Sequence, residues 1–220
     1  GADAAKFTIN SSTGALSFVT APDYENPTDT GGNNVYDVTV QASDGSLTAS
    51  QAIAVTVTNV NEAPTVTSSG TASVAENTTS VVTVTAKDPD AGTMLTYSIV
   101  GGADAAKFSI DSSTGALTFN TAPDYANPTD VGANNVYDVT VQASDGSLMA
   151  SQAIAVTVTN VNEAPSITSR GSASLAENTT SVMTVTAADP DAGTTLTYSI
   201  SGGADAAKFT INSSTGALSF

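Results

Sequence analysis

Hydrophobic and polar positions alternate with a period of two along several stretches of the chain. The three clearest are SVVTVTA (80–86), VYDVTVQA (136–143) and AIAVTVT (153–159). In each, one face carries β-branched, aromatic or small apolar residues, and the other face is rich in Thr and Gln. The inward residues are Val82, Val84, Ala86, Tyr137, Val139, Val141, Ala143, Ile154, Val156 and Val158. This alternation predicts half-buried β-strands.

Shorter apolar runs add strands at 65–68 with 72–74, 95–99, 107–110 and 116–119. Turn sequences such as STG and SDG separate them, and no segment has a helical period. About seven short strands within about 100 residues are typical of an immunoglobulin-like sandwich. The predicted fold class is therefore all-β, with seven-stranded Greek-key sandwiches.

The chain repeats itself with a period of 101 residues. Residues 1–101 and 102–202 are identical at 84 of 101 positions, and residues 203–220 repeat residues 1–18 without change. A period of this length fits a tandem array of whole domains better than the turns of a solenoid. The motif NVNEAP, at 59–64 and 160–165, ends a strand in a polar turn and marks the predicted boundary. We expect residues 1–64 to be the C-terminal part of one repeat, 65–165 a complete repeat and 166–220 the N-terminal part of a third. On this interpretation the termini cut through repeats.

Charge and composition narrow the possible partners. The chain has 21 acidic and 5 basic residues, a net charge of −16, and no Cys, His or Trp. An acidic surface argues against nucleic acid and anionic membranes as partners, and no apolar stretch approaches the roughly 20 residues that cross a bilayer. Without Cys and His, thiolate and imidazole metal sites are excluded. We expect a cationic partner and no membrane insertion of this segment.

The acids concentrate where strands end or domains join, as DPDAG at 88–92 and 189–193 illustrates. Like charges about 4 Å apart repel by roughly 4 kcal/mol at an effective dielectric of 20, so converging carboxylates need a cation. Hard oxygen ligands without His or Cys favour Ca²⁺ over zinc or copper. For any single Asp, a role as an ordinary turn former remains the alternative.

Six motifs of the chain carry a resemblance to a known family: AEN (75–77), DPD (88–90), FSIDSSTGAL (108–117), PDYEN (22–26), ASDG (42–45) and NVNEAP. Together they resemble a cadherin repeat, in the bacterial form found in large surface adhesins. The resemblance covers the whole chain and implies calcium between successive domains. Carried onto this sequence, the first junction would use Asp23, Glu25, Asn59, Asn61, Glu62, Asp88, Asp90 and Asp145. The second would use Glu76, Asp124, Asn160, Asn162, Glu163, Asp189 and Asp191, while Asp44 would serve a junction before the first. Glu177 completes the predicted ligand set.

Two departures reduce the ligand charge. Ala126 stands in the second copy of the motif where Glu25 stands in the first, and Asn59 and Asn160 replace an Asp that is usual in the family. We therefore expect weaker calcium binding, or fewer ions, at the second junction than at the first.

The resemblance implies an extracellular or cell-surface repeat, calcium-stiffened and structural or adhesive, whose neighbours are further repeats of the array. Two alternatives stay open. One is a filament subunit that completes its terminal domains by strand exchange between identical chains, since residues 166–202 of one chain and 1–64 of the next total one repeat. The other is a polysaccharide-binding module.

Three further readings of the sequence have little support. An enzyme would have to rest on paired carboxylates such as Asp88 and Asp90, so we expect no enzyme. An isopeptide bond from Lys6, Lys107 or Lys208 to an Asn is an alternative hypothesis for a surface fibre. The sequons at Asn77 and Asn178 indicate only loops that could be exposed.

Overall fold

The computed structural model describes residues 1–220, and its regular structure is almost entirely β. In chain order the strands are β1 Phe7–Ile9, β2 Leu16–Phe18, β3 Val35–Ser43, β4 Thr48–Thr56, β5 Thr65–Val66, β6 Thr71–Ala75, β7 Ser80–Thr83, β8 Ala86–Lys87, β9 Thr96–Gly101, β10 Phe108–Ile110, β11 Ala116–Phe119, β12 Val136–Ser144, β13 Met149–Thr159, β14 Ser166–Ile167, β15 Ser181–Thr184, β16 Ala187–Ala188, β17 Thr210–Ile211 and β18 Ala217–Ser219. Three single 3₁₀ turns lie at Ala4–Lys6, Ala105–Lys107 and Ala206–Lys208. None of these three-residue turns could cross a membrane.

The strands between β5 and β13 build one sandwich. One sheet has the order β6-β13-β12-β9, and the other has β10-β11-β7, while β5 pairs with β8. Most neighbours are antiparallel, and β13 pairs with β6 in parallel. β7 and β8 are close together in the sequence, but they pair with different neighbours: β7 with β11, and β8 with β5.

The core lies between these two sheets and consists of the residues that the alternation places inward. Val139, Val141, Ile154, Val156 and Val158 are all buried. Burial of each such side chain contributes roughly 1.5–3 kcal/mol to stability. The period-two pattern therefore explains why these strands form a two-layer structure.

An aromatic cluster closes one end of the core. The rings of Phe108 and Phe119 stack with centroids 4.5 Å apart, and Phe119 meets Tyr137 edge to face at 5.1 Å. The Tyr137 hydroxyl accepts a hydrogen bond from the Thr129 amide at 3.1 Å. Tyr137 thereby joins the start of β12 to the loop before it, in the manner of a tyrosine corner.

The two flanking segments contain parts of the same architecture. Before β5, β1 pairs with β2 and β3 with β4, and neither hairpin has a further partner strand. After β13, β14 pairs with β16, and β15 pairs with β18, which also pairs with β17. Residues 172–176 and 197–202, the counterparts of β6 and β9, form no strand. Those two segments lack the neighbours that pair with β6 and β9 in the complete sandwich.

The structure refines three of the strand predictions. Lys107 belongs to a 3₁₀ turn, so the predicted strand at 107–110 begins at Phe108. The strand predicted at 95–99 extends instead over Thr96–Gly101. The stretch 80–86 divides after Thr83, because the Val84 amide bonds to the Gly115 carbonyl and the Thr85 carbonyl accepts the Thr67 amide. After the division, β7 pairs with β11 in the three-stranded sheet and β8 pairs with β5.

Candidate metal site

The predicted ligands of the first junction lie on loops that the two sheets hold at one end of the sandwich. Asp88 and Asp90 follow β8 directly, and Asp145 follows β12. Asn59, Asn61 and Glu62 lie in the segment between β4 and β5. The chain therefore brings residues from both sides of the linker to the same place.

Hydrogen bonds join these residues across long stretches of sequence. The Asn59 side-chain amide donates to Asp90 Oδ1 at 2.5 Å, and the Asn61 amide donates to Asp145 Oδ2 at 2.7 Å. The backbone amide of Glu62 donates to Asp90 Oδ2 at 3.0 Å. The linker is thereby tied to two loops of the following repeat.

Three carboxylates converge at this place. Oxygen atoms of Glu25, Glu62 and Asp90 lie within 4.8 Å of one another. Glu25 comes from the segment before the linker, so the cluster contains acids from both repeats and the linker between them. Carboxylate oxygens at this separation could share one cation.

The carboxylates of this cluster repel one another, and no positive side chain balances their charge. Desolvation, together with repulsion from Glu25, Asp90, Asp23 and Asp88, raises the pKa of Glu62. The chain's one ion pair, Lys208 with Asp205, lies in the third unit. The acids of the first junction therefore have no basic side chain within ion-pair distance.

Asp88 supplies a second indication that a cation fits. Its Oδ1 accepts the Asp90 amide at 2.9 Å, whereas its Oδ2 is buried and has no hydrogen-bond partner. A buried, unpartnered carboxylate oxygen is unfavourable unless something compensates it. Carboxylate and amide oxygens are ligands that Ca²⁺ prefers, so the residues present fit that ion.

Hydrogen bonds also fix two other Asp residues of the predicted set. The Asn26 side chain and nearby backbone amides lower the pKa of Asp23, and the Asn61 amide, with the Leu148 and Ser147 amides, lowers that of Asp145. Both carboxylates are thus held in the ionised form that a cation requires.

The second junction repeats part of the hydrogen-bond pattern of the first. The Glu163 amide donates to Asp191 Oδ2 at 2.8 Å, and the Asp191 amide donates to Asp189 Oδ1 at 2.9 Å. These bonds repeat the pattern of Glu62, Asp90 and Asp88. The Asn162 amide, however, donates only to the Glu163 carbonyl, at 3.2 Å.

Glu76 has a more specific position than the sequence indicates. Its side chain is buried, and its two oxygens accept the Val161 amide at 2.8 Å and the Tyr125 amide at 2.7 Å. Glu76 therefore connects the end of β6 to the loop of Asp124 and to the linker around Asn160. The Asn127 side chain lowers the pKa of Asp124 in that loop.

Two predicted ligands lie apart from these groups. Asp44 is exposed in the β3–β4 turn, where it accepts the Ser46 and Leu47 amides at 2.8 and 2.7 Å. Glu177 is exposed beyond the segment 172–176. Neither is joined by a hydrogen bond to another predicted ligand.

One contact and one class of residue are not evident from the sequence. The Asn77 side-chain amide donates to Glu163 Oε1 at 3.1 Å, which places the AEN motif's Asn beside the second junction. Asp104 and Asp130 are buried and accept backbone amides. Only the position of Asp104 directly before the AAK turn, repeated in every copy of the motif, could have indicated a structural role.

Comparisons with known proteins support the family indicated by this geometry. The family model described as Cadherin domain matches residues 70–161. Residues 70–161 belong to the cadherin domain family. This cadherin domain coincides with most of the sandwich from β6 to β13 and with the start of the following linker.

Two curated relatives extend the similarity over more of the chain. The human protein named Cadherin EGF LAG seven-pass G-type receptor 2 is 37% identical over 164 residues, 71% of this chain. Human Protocadherin Fat 1 is 33% identical over an alignment 228 residues long, which covers 94% of this chain. The chain spans only 5% of the length of each. Their names describe a receptor and a protocadherin, which confirms the expectation that this cadherin segment is not an enzyme.

A solved structure confirms the fold. Protocadherin gammaB7, in a structure described as an EC3-6 cis-dimer, superposes with a TM-score of 0.60 at 26% identity. The superposition covers 97% of this chain and 56% of that one. The prediction of an all-β fold of cadherin-type sandwiches is therefore confirmed.

Proposed function

We propose that this chain is an extracellular, calcium-binding segment of a cadherin array, structural or adhesive, and that calcium binds where residues 1–64 meet the complete repeat 65–165. The observation that carries the proposal is the first-junction cluster, in which Glu25, Glu62 and Asp90 converge without a basic partner. The buried, unpartnered Oδ2 of Asp88 adds independent support.

The ligands would come from three parts of the junction. Asp23 and Glu25 belong to the preceding repeat, Asn59, Asn61 and Glu62 to the linker, and Asp88, Asp90 and Asp145 to the following repeat. Bound calcium supplies the positive charge that these carboxylates lack. With their repulsion neutralised, the acids can hold the two repeats in one orientation; without neutralisation, their repulsion favours bending at the linker.

The second junction would use Glu76, Asp124, Asn160, Asn162, Glu163, Asp189 and Asp191. Ala126 offers no side-chain oxygen there, whereas Glu25 supplies a carboxylate at the first junction. We therefore expect weaker binding at this junction. Asp44 and Glu177 would serve junctions with further repeats.

The cell surface is the location that this function requires, since extracellular modules bind calcium at about 10⁻⁴ to 10⁻³ M. We also propose that the array belongs to a bacterial surface adhesin. The sequence motifs and the 84 identities between successive 101-residue units support this part of the proposal. Sequencing the flanking coding region tests it, because further 101-residue units and a bacterial secretion signal are expected.

Isothermal titration calorimetry with calcium tests the site directly. The parent chain should bind calcium, and Asp90→Asn should bind it several-fold more weakly. Asp111→Asn is the matched control, because Asn10 already replaces it in the first copy and accepts the same two turn amides, at 3.0 and 2.9 Å. Unchanged affinity in Asp90→Asn, or equal losses in both variants, would contradict the proposal.

A further inference from the structure

The turn that follows β6 holds the linker after β13 through two adjacent side chains. Glu76 accepts the Val161 amide at 2.8 Å, and the Asn77 side-chain amide donates to Glu163 Oε1 at 3.1 Å. These two contacts join residues that are 85 and 86 positions apart in the sequence. Glu76 therefore fixes the backbone of the linker, whereas Asn77 fixes one of its side chains.

The backbone conformation at Asn77 limits which residues fit this position. Asn77 has a φ of 62°, in the left-handed region, and its backbone amide donates to the Pro123 carbonyl at 2.9 Å. Gly, Asn and Asp adopt this conformation most readily. Gly has no side chain, and an ionised Asp only accepts hydrogen bonds. Asn is therefore the one residue of the three that can donate a hydrogen bond to Glu163.

Glu163 is held from both sides of the second junction. Its backbone amide donates to Asp191 Oδ2 in the following repeat at 2.8 Å, while its side chain is tied to the preceding repeat through Asn77. Only Oε1 of the carboxylate takes part in that contact, so Oε2 stays available for a cation. Asn77 therefore orients the Glu163 carboxylate without occupying both of its oxygens.

We propose that Asn77 is a positioning residue of the second calcium junction, which holds the Glu163 carboxylate in the orientation that binds the ion. Asn77 acts through Glu163: the Asn77 amide donates to the carboxylate, and the carboxylate binds calcium. This role rests on the proposed calcium function.

The physical basis of this role is the flexibility of a glutamate side chain. Fixing such a side chain in one rotamer costs conformational entropy, which opposes the binding of an ion. The hydrogen bond from Asn77 restricts the rotamers of Glu163 before calcium arrives. Partners that orient a metal ligand contribute roughly 10- to 100-fold to metal affinity. Because Asn77 is exposed to solvent, we expect the lower end of this range, about tenfold.

Nuclear magnetic resonance of the full chain in EDTA tests the orientation of Glu163 without calcium. Side-chain scalar couplings of Glu163 should show one predominant rotamer in the parent chain and averaging over several in Asn77→Gly. Gly tolerates the left-handed backbone, so this variant removes the donor without straining the turn. Averaged couplings in the parent chain, or equal couplings in both chains, would overturn the proposal.

A calcium titration followed by amide chemical shifts separates the two junctions in one sample. The amides of Glu163 and Asp191 report on the second junction, and those of Glu62 and Asp90 report on the first. Asn77→Gly should weaken calcium binding at the second junction about tenfold and leave the first junction unchanged. An unchanged affinity at the second junction would refute the role of Asn77.

Asn178→Gly is the matched control. Asn178 occupies the same position of the next AEN motif and has a φ of 65°, whereas Glu163 receives its side-chain hydrogen bond from Asn77. Asn178→Gly should leave the affinity of the second junction unchanged. Equal losses in the two variants would show that Asn77→Gly acts through the flexibility of its turn and not through Glu163.

The Glu163→Ala background distinguishes positioning from a merely structural role. Glu163→Ala should weaken binding at the second junction, and adding Asn77→Gly should cause no further loss, because the carboxylate that Asn77 orients is then absent. A full additional loss would contradict the proposal. If the parent chain binds no calcium, both the proposed function and this role of Asn77 are wrong. If the parent chain and Asn77→Gly bind calcium equally well, only the role of Asn77 is wrong.

Discussion

Substitution of Asp104 tests whether a buried acid of this chain is structural or acts through calcium. It is 3% exposed and accepts the Val131 amide at 2.8 Å and the Asp138 amide at 2.9 Å. Asp104→Ala would leave two partly buried amides without their acceptor. Each such loss costs about 1–3 kcal/mol, so the complete repeat should lose about 2–6 kcal/mol.

The same motif supplies its own control. Asp205 stands at the identical position of GADAAK in the third unit, where its side chain is 66% exposed and contacts only Lys208 at 2.8 Å. An exposed pair of this kind contributes at most about 1 kcal/mol. Asp205→Ala should therefore change stability little.

Thermal unfolding, with hydrogen exchange of the β12 amides as the local readout, measures both variants. A loss of 1 kcal/mol shifts the melting temperature of a repeat this size by about 4–8 °C. Asp104→Ala should lower the melting temperature by a similar amount in calcium and in EDTA. A loss seen only in calcium would show that Asp104 acts through the ion, and no loss would refute the reasoning from buried amides.

Three further predictions concern charge and backbone. Ala126→Glu should tighten calcium binding at the second junction, measured by calorimetry, and an unchanged affinity would exclude that position as a ligand. In EDTA, the raised pKa of Glu62 favours its protonated form, so its contribution to folding is present at low pH and is lost as pH rises through the folded pKa. Glu62→Gln should flatten this part of the stability profile above pH 4.5, and an unaltered profile would contradict the assignment. Gly115→Ala should destabilise the complete repeat more than Gly14→Ala destabilises the first unit, because both have φ of 72° but only Gly115 faces a backbone carbonyl, that of Val84. Equal losses in urea unfolding would assign the whole effect to the dihedral angle.

The alternation of residues was sufficient to predict the core strands. Val139, Val141, Ile154 and Val156 lie inward as expected, since one buried face imposes a period of two. The break after Thr83 was not predictable, because it depends on the Gly115 carbonyl reaching Val84 from a distant turn. A local pattern does not record which sheet a strand joins.

The sequence was sufficient to predict which residues belong to the candidate site, but not the hydrogen bonds that join them. Motif spacing indicated that Asn61 and Asp145 belong to one junction, but not that they share a hydrogen bond across 84 residues. The buried role of Asp104 and the contact of Asn77 with Glu163 depend on loops that fold back over long distances. Asp145 and Asp104 each come before a turn in the sequence. Only their surroundings in the folded chain distinguish the two residues.

Calcium titration of the chain, followed by melting temperature and small-angle scattering, tests most directly whether calcium binds and stiffens the first junction. At about 10 mM calcium, a dissociation constant of about 10⁻⁴ to 10⁻³ M corresponds to about 1.4–2.7 kcal/mol of stabilisation. If calcium stiffens the junction, the chain should have a higher melting temperature and a longer, narrower particle shape in calcium than in EDTA. If EDTA changes neither the melting temperature nor the shape, calcium does not stiffen the junction.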